Sequence, residues 1–385
     1  MATATIPHLP VLVIHHVLQF LPTKLAIRMS SLCKQWEGLW SSVPVLDFDE
    51  EDEPDDRLQH AKFINFLDRC LAFPKKYEYL DKFRLRMTLF SDEDEKKVLE
   101  CLQCDHIGQP SAYKPALIAN SVPRRCEPHS RTLLDAKSLT YLNIECGRFW
   151  ADNNDVPISL PSLKTLILRI VTLHYYYPLS SLISGCPCIQ YLRLTGYLQP
   201  YYELSIQTLL DAKSLTSLSL ERVKILPGDD NNDRKAVGPL SLKTMSLKKV
   251  ILDDMTFGRL TSGSPCLEHL SVSLISDHIH IPRSSIKSLQ VANINSTTFR
   301  VSGAKNLESF TLISECSTQI ESIRLDCCKN LKYLNIRAPD LQEFTLEFNG
   351  RKDRVKATLD IQTLDYPIIN FLGKESPCHG NMFLH

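Results

Sequence analysis

The sequence of 385 residues lacks an excess of charge of either sign. It contains 44 Lys and Arg residues and 44 Asp and Glu residues, so the formal net charge is 44 − 44 = 0. Non-specific nucleic-acid binding depends on Lys and Arg side chains that neutralise phosphates. A general role in binding nucleic acids is therefore disfavoured.

Long apolar runs are also missing. No segment approaches the roughly 18 unbroken apolar residues of a membrane span, and residues 1–30 lack the basic stretch and apolar run of a secretory signal. We therefore expect no membrane span and no secretion, and we expect the 13 cysteines to be reduced. These expectations favour the nucleus, the cytoplasm or both as the location.

Catalytic and metal-binding motifs are absent as well. The sequence has no G-x-x-x-x-G-K-[ST] loop, no G-x-S-x-G elbow and no H-E-x-x-H motif. Cys101, Cys104 and His106 have the spacing of half a zinc site, and the pairs at 186–188 and 278–280 contain metal-ligating residue types, but no second pair follows at finger spacing. We expect no catalytic residue, no cofactor and no metal.

Repetition organises most of the chain instead. Residues 132–145 and 208–221 are identical at eleven of fourteen positions, at an offset of 208 − 132 = 76 residues. This offset equals three units of about 25 residues, which lies within the period of leucine-rich repeats.

The apolar skeleton L-x-x-L-x-L recurs at a matching period. Six copies begin at positions 139, 163, 189, 215, 242 and 267, with spacings of 24, 26, 26, 27 and 25 residues. Later copies begin at 286, 307, 320, 331 and 341, and an earlier one fits at Leu80. Because the last three spacings fall to 13, 11 and 10, we expect the final units to hold a strand and a turn with little helix.

Each copy places its last two apolar side chains on one face of a short strand. Stacked parallel strands with returning segments bury a continuous core that a single strand cannot form. The prediction is an α/β leucine-rich-repeat solenoid with a curved parallel sheet and with helices or loops on its convex side. A conventional domain of βαβ units is disfavoured, because helical segments of full length are missing.

Residues 7–46 precede the repeats and suggest three short helices. The first covers 11–20 and ends before Pro22, the second covers 24–30 with Thr23 as its cap, and the third covers 32–40. The apolar residues of this segment exceed what about 40 residues bury by themselves. An exposed apolar patch here would mark an interface.

This segment resembles the F-box of plant proteins in which an F-box precedes leucine-rich repeats. The match runs through Leu9-Pro10, residues 14–18, residues 20–24, residues 32–34 and Trp36. The resemblance implies a three-helix F-box that binds a Skp1-type adaptor, which in turn joins cullin and RING subunits. The repeats would then hold a protein substrate for ubiquitination, as the recognition subunit of an SCF-type E3 ligase.

The resemblance also implies which residues face the Skp1-type partner. Carried over position by position, they are Leu9, Pro10, Ile14, Leu18, Leu21, Pro22, Cys33 and Trp36. Packing inside the small helical unit is the alternative for each, and for Ile14 and Trp36 the two interpretations have equal weight, because a core and an obligate interface share the same chemistry.

One feature departs from the family pattern. Its members usually place acidic residues directly after the Leu-Pro pair, where a helix N-terminus favours negative charge, but Val11 and Leu12 stand there. The first helix is therefore expected to be poorly capped, with reduced Skp1 affinity. A ligase-independent repeat protein that binds or inhibits another protein is the alternative function.

The outward positions of the strands and a local concentration of tyrosine suggest where a substrate binds. Seven of the 13 tyrosines lie between residues 175 and 202, and tyrosine is favoured at binding hot spots. The candidate substrate-binding residues are Tyr176, Tyr191, Arg193, Tyr201 and His269. The alternative is that the rings cover the edge of the repeat core.

The predicted organisation has five parts. They are an F-box at 7–46, an acidic linker at 47–57, an N-terminal cap helix at 58–76, a leucine-rich-repeat domain at 77–348 with an insertion around 91–131, and a C-terminal tail at 349–385.

Overall fold

The computed structural model of the chain forms two compact units, Met1–Cys188 and Ile189–His385. The structure describes residues 9–32, 34–50, 62–63, 65–67, 69–70, 80–87, 136–149, 158–173, 179–196, 202–227, 241–275, 278–281, 285–292, 298–313, 322–338, 343–348, 355–360 and 368–371. The predicted insertion at 91–131 lies outside these ranges. No helix among the described residues is long and apolar enough to cross a membrane.

Unit 1 begins with helices, as the fold prediction requires. Helix α1 spans Val11–Leu18, helix α2 spans Thr23–Ser30, and a 3-10 helix spans Leu39–Ser42. The third segment is therefore shorter than predicted, with turns at 34–38 before the 3-10 helix. Gly38 explains the break, because its left-handed φ of 73° interrupts a right-handed helix.

The strands that the structure describes in unit 1 are parallel and follow in chain order. They are β1 (Val45–Asp49), β2 (Lys82–Arg86), β3 (Tyr141–Phe149) and β4 (Thr165–Leu173), and helix α3 spans Leu179–Ser184. Leu46, Phe83, Leu142 and Leu166 lie in register and are almost fully buried. The predicted acidic linker at 47–57 therefore begins inside a strand, since its first three residues belong to β1.

The main sheet of unit 2 is parallel and contains eight successive strands among the described residues. They are β5 (Tyr191–Thr195), β7 (Ser217–Glu221), β9 (Thr244–Ile251), β10 (His269–Ile275), β12 (Ser288–Ala292), β14 (Ser309–Ile313), β16 (Tyr333–Arg337) and β18 (Lys356–Asp360). Beside it, β6 (Tyr202–Ser205) pairs with β8 (Val223–Leu226), and the helices are α4 (Ile206–Asp211) and α5 (Asp254–Ser262). The parallel repeat fold is confirmed.

A second parallel sheet in unit 2 corrects the interpretation of the late repeats. Its strands are β11 (His278–Ile281), β13 (Thr298–Val301), β15 (Ser322–Cys328), β17 (Glu343–Phe348) and β19 (Ile368–Phe371). The skeleton copies at 320 and 341 belong to this sheet, whereas those at 307 and 331 belong to the main sheet. The spacings of 13, 11 and 10 arose because two strands of one coil were counted as two repeats, while the described residues after α5 form strands and turns, as expected for the final units.

Strand positions restore a regular period in this region. The main-sheet strands β14, β16 and β18 begin at 309, 333 and 356, which gives spacings of 333 − 309 = 24 and 356 − 333 = 23 residues. Strands β18 and β19 also lie beyond residue 348, inside the predicted tail at 349–385. The repeats therefore extend further than the apolar skeleton predicts.

Candidate functional site

Helix α1 is apolar on almost all sides, yet only one side is covered. Ile14 and Leu18, four residues apart, are buried in the unit. The opposite side of the helix presents exposed Leu12, Val13, His16 and Val17, and exposed Phe20 follows two residues after the helix ends. We call these five residues the exposed stripe. A helix that is hydrophobic all round is normally buried all round, so the exposed stripe is a surface that a partner would cover.

The exposed stripe contains the most accessible large apolar side chains of the N-terminal helices. Leu12 is 81% exposed and Phe20 is 74% exposed. The Phe20 ring contacts the His16 ring edge-on, with centroids 5.0 Å apart. Leu25 of α2 and Leu32 after it are exposed as well, so apolar surface continues beyond α1.

The buried side of the helices forms a small core that fixes the stripe in place. This core contains Ile14, Leu18, Ala26, Trp36 and Val43, with Leu9 and Leu21 packed against it. Trp36 is 6% exposed, and its indole Nε1 has no hydrogen-bond partner among the described residues. The Gln35 side chain donates a hydrogen bond to the Leu9 carbonyl, which ties the entering chain to the third segment.

The structure separates the eight predicted adaptor-facing residues into groups. Ile14, Leu18 and Trp36 are buried in the helical core, which favours the packing alternative for them. Pro10 and Pro22 are exposed, Leu9 and Leu21 are partly buried, and Cys33 lies outside the described residues. The motif positions were carried over without regard to helix side, and they do not include the exposed Leu12 and Phe20. The helical spacing of 12, 16 and 20 is the signal that identifies this side.

Neither α1 nor α2 has a side-chain cap at its N-terminus. Helix α1 has Pro10 at its N-cap, no side-chain cap and no acidic residue in its first turn, as the departure at Val11 and Leu12 predicted. Helix α2 starts at Thr23 after Pro22 and also has no side-chain cap. The prediction that Thr23 caps it was wrong, because the Thr23 hydroxyl accepts a hydrogen bond of 2.8 Å from the Asp47 backbone N–H.

The acidic segment after the helices is partly neutralised by the next strand. Arg84 on β2 contacts Asp47 at 3.3 Å and Asp49 at 2.8 Å, and Arg86 contacts Asp49 at 3.9 Å. Burial raises the pKa of Asp47, Arg84 opposes this shift, and Asp49 adds to it. The Asp47 and Asp49 side chains therefore stabilise a strand pair and are not free to bind a separate cation.

Three predicted substrate-binding residues lie on one sheet of unit 2. Tyr191 and His269 occupy the same register row, through Ser217 and Thr244 between them. Arg193 lies two residues after Tyr191 and points to the same side. Tyr176 and Tyr201 lie outside the described residues, so the structure does not test the tyrosine-rich rim.

Small hydroxyl side chains surround these three residues. We call this surface the hydroxyl-rich face, and its members between β7 and β12 are Ser217, Ser219, Thr244, Ser246, Ser271, Ser273 and Ser288. Short side chains leave backbone and neighbouring groups accessible to a ligand, and hydroxyls both donate and accept hydrogen bonds. The face suits an irregular polar partner better than a flat apolar one.

The candidate metal ligands that the structure describes show no arrangement for binding. Among the described residues, no group of three His, Cys, Asp or Glu side chains is placed to hold a metal ion. Burial raises the pKa of Cys186 to about 12, and its thiol donates a hydrogen bond to the Leu182 carbonyl at 3.1 Å. This cysteine is therefore held as a neutral thiol, whereas metal ligands and nucleophiles are thiolates. Cys101, Cys104 and His106 lie outside the described residues.

Comparison with family models identifies both parts of the chain. Residues 6–48 match the F-box domain, residues 162–187 match a leucine-rich repeat, and residues 198–361 match the leucine-rich repeats of FBD-associated F-box protein At5g56370. The matches cover the N-terminal helices and strands of both units. The predicted resemblance to plant F-box/leucine-rich-repeat proteins is confirmed.

Curated relatives from Arabidopsis thaliana have the same combination. An F-box/FBD/LRR-repeat protein is 29% identical over 186 residues, which is 47% of this chain and 39% of the relative. A putative F-box/LRR-repeat protein is 30% identical over 66% of this chain and 53% of its own length. A putative F-box/FBD/LRR-repeat protein is 23% identical over 94% of this chain and 74% of its own length. The chain spans about half the length of the first relatives, at 39%, 44% and 58%.

Proposed function

We propose that this chain, which joins an F-box to leucine-rich repeats of the plant type, is the substrate-recognition adaptor of an SCF-type E3 ubiquitin ligase. The F-box docks a Skp1-type protein, and through it cullin and RING subunits, while the repeats bind a protein substrate. The chain itself carries no catalytic step. General support comes from the two domain types together, and the single observation that carries the docking step is the exposed stripe of α1.

The docking step follows from the two sides of α1. The buried side, with Ile14 and Leu18, holds the helix against the unit. The exposed stripe offers Leu12 and Phe20, which an adaptor would desolvate, and such fully covered apolar anchors dominate binding energy at interfaces. Pro10 and Pro22 are exposed beside the helix ends and contribute to the same contact, while Ile14, Leu18 and Trp36 act by positioning the helix.

A titration calorimetry experiment with purified Skp1 tests this proposal. We expect the wild-type chain to bind and Phe20→Asp to bind at least tenfold more weakly, because a carboxylate would be buried at an apolar contact. Met255→Asp is the matched control, since Met255 is 77% exposed on α5, a helix of unit 2. Its affinity should equal that of wild type. Equal binding by Phe20→Asp would refute the role of the stripe.

One observation favours a second function. Helix α1 has no cap and no first-turn acid, which is the feature expected of an F-box with weakened docking. In this alternative the chain is a ligase-independent repeat protein that binds or inhibits another protein. Failure of the wild-type chain to bind Skp1, with an intact melting transition, would establish this alternative over the ligase adaptor.

A further inference from the structure

Several cations on the outward side of the strands are paired with carboxylates on neighbouring strands. Arg84 of β2 contacts Asp49 of β1 at 2.8 Å, and Lys248 of β9 contacts Glu221 of β7 at 2.9 Å. Arg169 of β4 similarly contacts Glu145 of β3 at 3.4 Å. Opposite charges on adjacent strands stabilise a sheet, so these three cations are satisfied by their neighbours.

Arg193 in the middle of β5 is an exception. Among the described residues it has no carboxylate within ion-pair distance, and its Nε is shielded from solvent without a hydrogen-bond partner. A shielded donor that lacks a partner is costly in a folded protein. The other guanidinium nitrogens of this half-buried side chain are not among the shielded atoms, so an anion bound to them would lie close to the unpartnered Nε.

On the β7 side of Arg193, the residues of its register row are small and polar. Ser219 on β7 lies opposite Arg193, Ser246 on β9 lies opposite Ser219, and Ser271 on β10 lies opposite Ser246. Neighbouring strands are about 4.8 Å apart, so this row places three hydroxyl groups in line after one guanidinium. The short side chains do not block an approaching group, and their hydroxyls can donate to it.

We infer that Arg193 is an anion-recognition point on the hydroxyl-rich face, which binds a carboxylate or phosphoryl group of a protein segment. The guanidinium presents two parallel N–H donors that match the paired oxygens of either group. A polynucleotide is disfavoured, because it requires several unpaired cations along its backbone and the neighbouring Lys248 is paired with Glu221. The inference rests on the proposed function, since it specifies the chemistry of the substrate that the repeats hold.

Nuclear magnetic resonance of the full chain labelled with ¹⁵N at arginine Nε tests the inference. Acetate and inorganic phosphate are titrated separately at constant ionic strength, which distinguishes a carboxylate from a phosphoryl source. We expect one Nε–H signal to shift to saturation with at least one of the two probes. The signal of Arg169, which is already paired with Glu145, serves as the internal control and should not saturate.

Variants assign the responding signal. Arg193→Lys should remove it, and Arg169→Lys should leave it in place, while Arg193→Gln provides the same assignment if the lysine variant does not fold. An equal change in the chemical shift of all arginine Nε–H signals would overturn the inference. The absence of any shift with either probe would overturn it as well. Because Skp1 is absent from the sample, this result is independent of whether the F-box docks.

Discussion

The N-terminal helices and the repeat strands differ in how much of their apolar surface is buried. In α1, Ile14 and Leu18 are buried while Leu12 remains exposed, as does Phe20 just after the helix. In β7, Leu218 and Leu220 are fully buried, and the outward residues are Ser217, Ser219 and Glu221. Among the described residues the exposed side of α1 is uncovered, whereas each repeat is covered by the next one. The difference supports the proposed roles, with an apolar docking surface on the helices and a polar recognition surface on the repeats.

The largest expected effect contrasts a buried leucine with an exposed phenylalanine. Leu218→Ala should lower the free energy of unfolding by about 2–5 kcal/mol, because it leaves a cavity in the repeat core. Phe20→Ala should change it by less than about 0.5 kcal/mol, because the ring is already in solvent. Urea denaturation followed by circular dichroism measures both. A similar loss for the two variants would mean that the stripe is packed within the chain.

Two glycines provide the next contrast, this time within unit 2. A Cβ at Gly196 would overlap the carbonyl oxygen of Arg222, so Gly196→Ala should destabilise the chain by about 1–3 kcal/mol through overpacking. Gly258 lies inside α5 with no heavy atom within 4 Å of the added Cβ. Gly258→Ala should therefore stabilise the chain by up to about 1 kcal/mol. We expect the two melting temperatures to move in opposite directions, and equal shifts would contradict the assigned difference in packing.

Helix capping gives a smaller contrast between the two regions. The Asp253 carboxylate accepts a hydrogen bond from the Thr256 N–H at 2.6 Å and caps α5, so Asp253→Ala should cost about 1 kcal/mol. Val11→Asp should add about 0.3–1 kcal/mol, because it introduces the missing negative charge in the first turn of α1. Chemical denaturation measures both changes. A destabilising Val11→Asp would show that Val11 makes a packing contact.

The smallest expected effect concerns pH. The folded pKa of Asp47 is raised, chiefly by burial, above an unfolded value of about 3.9. Between these two values the folded state binds more protons, so stability falls as pH rises through the window and is constant above it. Asp47→Asn should reduce this fall. Melting temperatures of both proteins across the acidic range provide the test, and identical pH profiles would contradict the assignment.

The repeat fold could be predicted because its signal is local. Alternating apolar residues such as Leu192 and Leu194 place both side chains in the core, and this pattern recurs at a nearly constant spacing. The second sheet could not be predicted in the same way. The apolar sequence pattern around Ile323 and Leu325 is the same as that of a main-sheet strand. The pattern therefore does not reveal which of the two sheets the strand joins.

The candidate site could be predicted only in part. Motif matching located the F-box, but it selected Ile14 and Trp36, which are buried, and omitted Leu12 and Phe20, which are exposed. A family pattern does not distinguish buried residues that hold a helix in place from exposed residues that form its surface. That no described carboxylate pairs with Arg193 also depends on which strands are neighbours, and this information exists only in the folded structure.

Site-specific photocrosslinking tests the docking role of the stripe most directly. A photoreactive phenylalanine analogue is placed at position 12 or 20 of the stripe, or at position 255 as the control, and each chain is irradiated with Skp1. We predict a covalent adduct from positions 12 and 20 and none from position 255. Chains that bind Skp1 yet form no adduct from either stripe position would contradict that role.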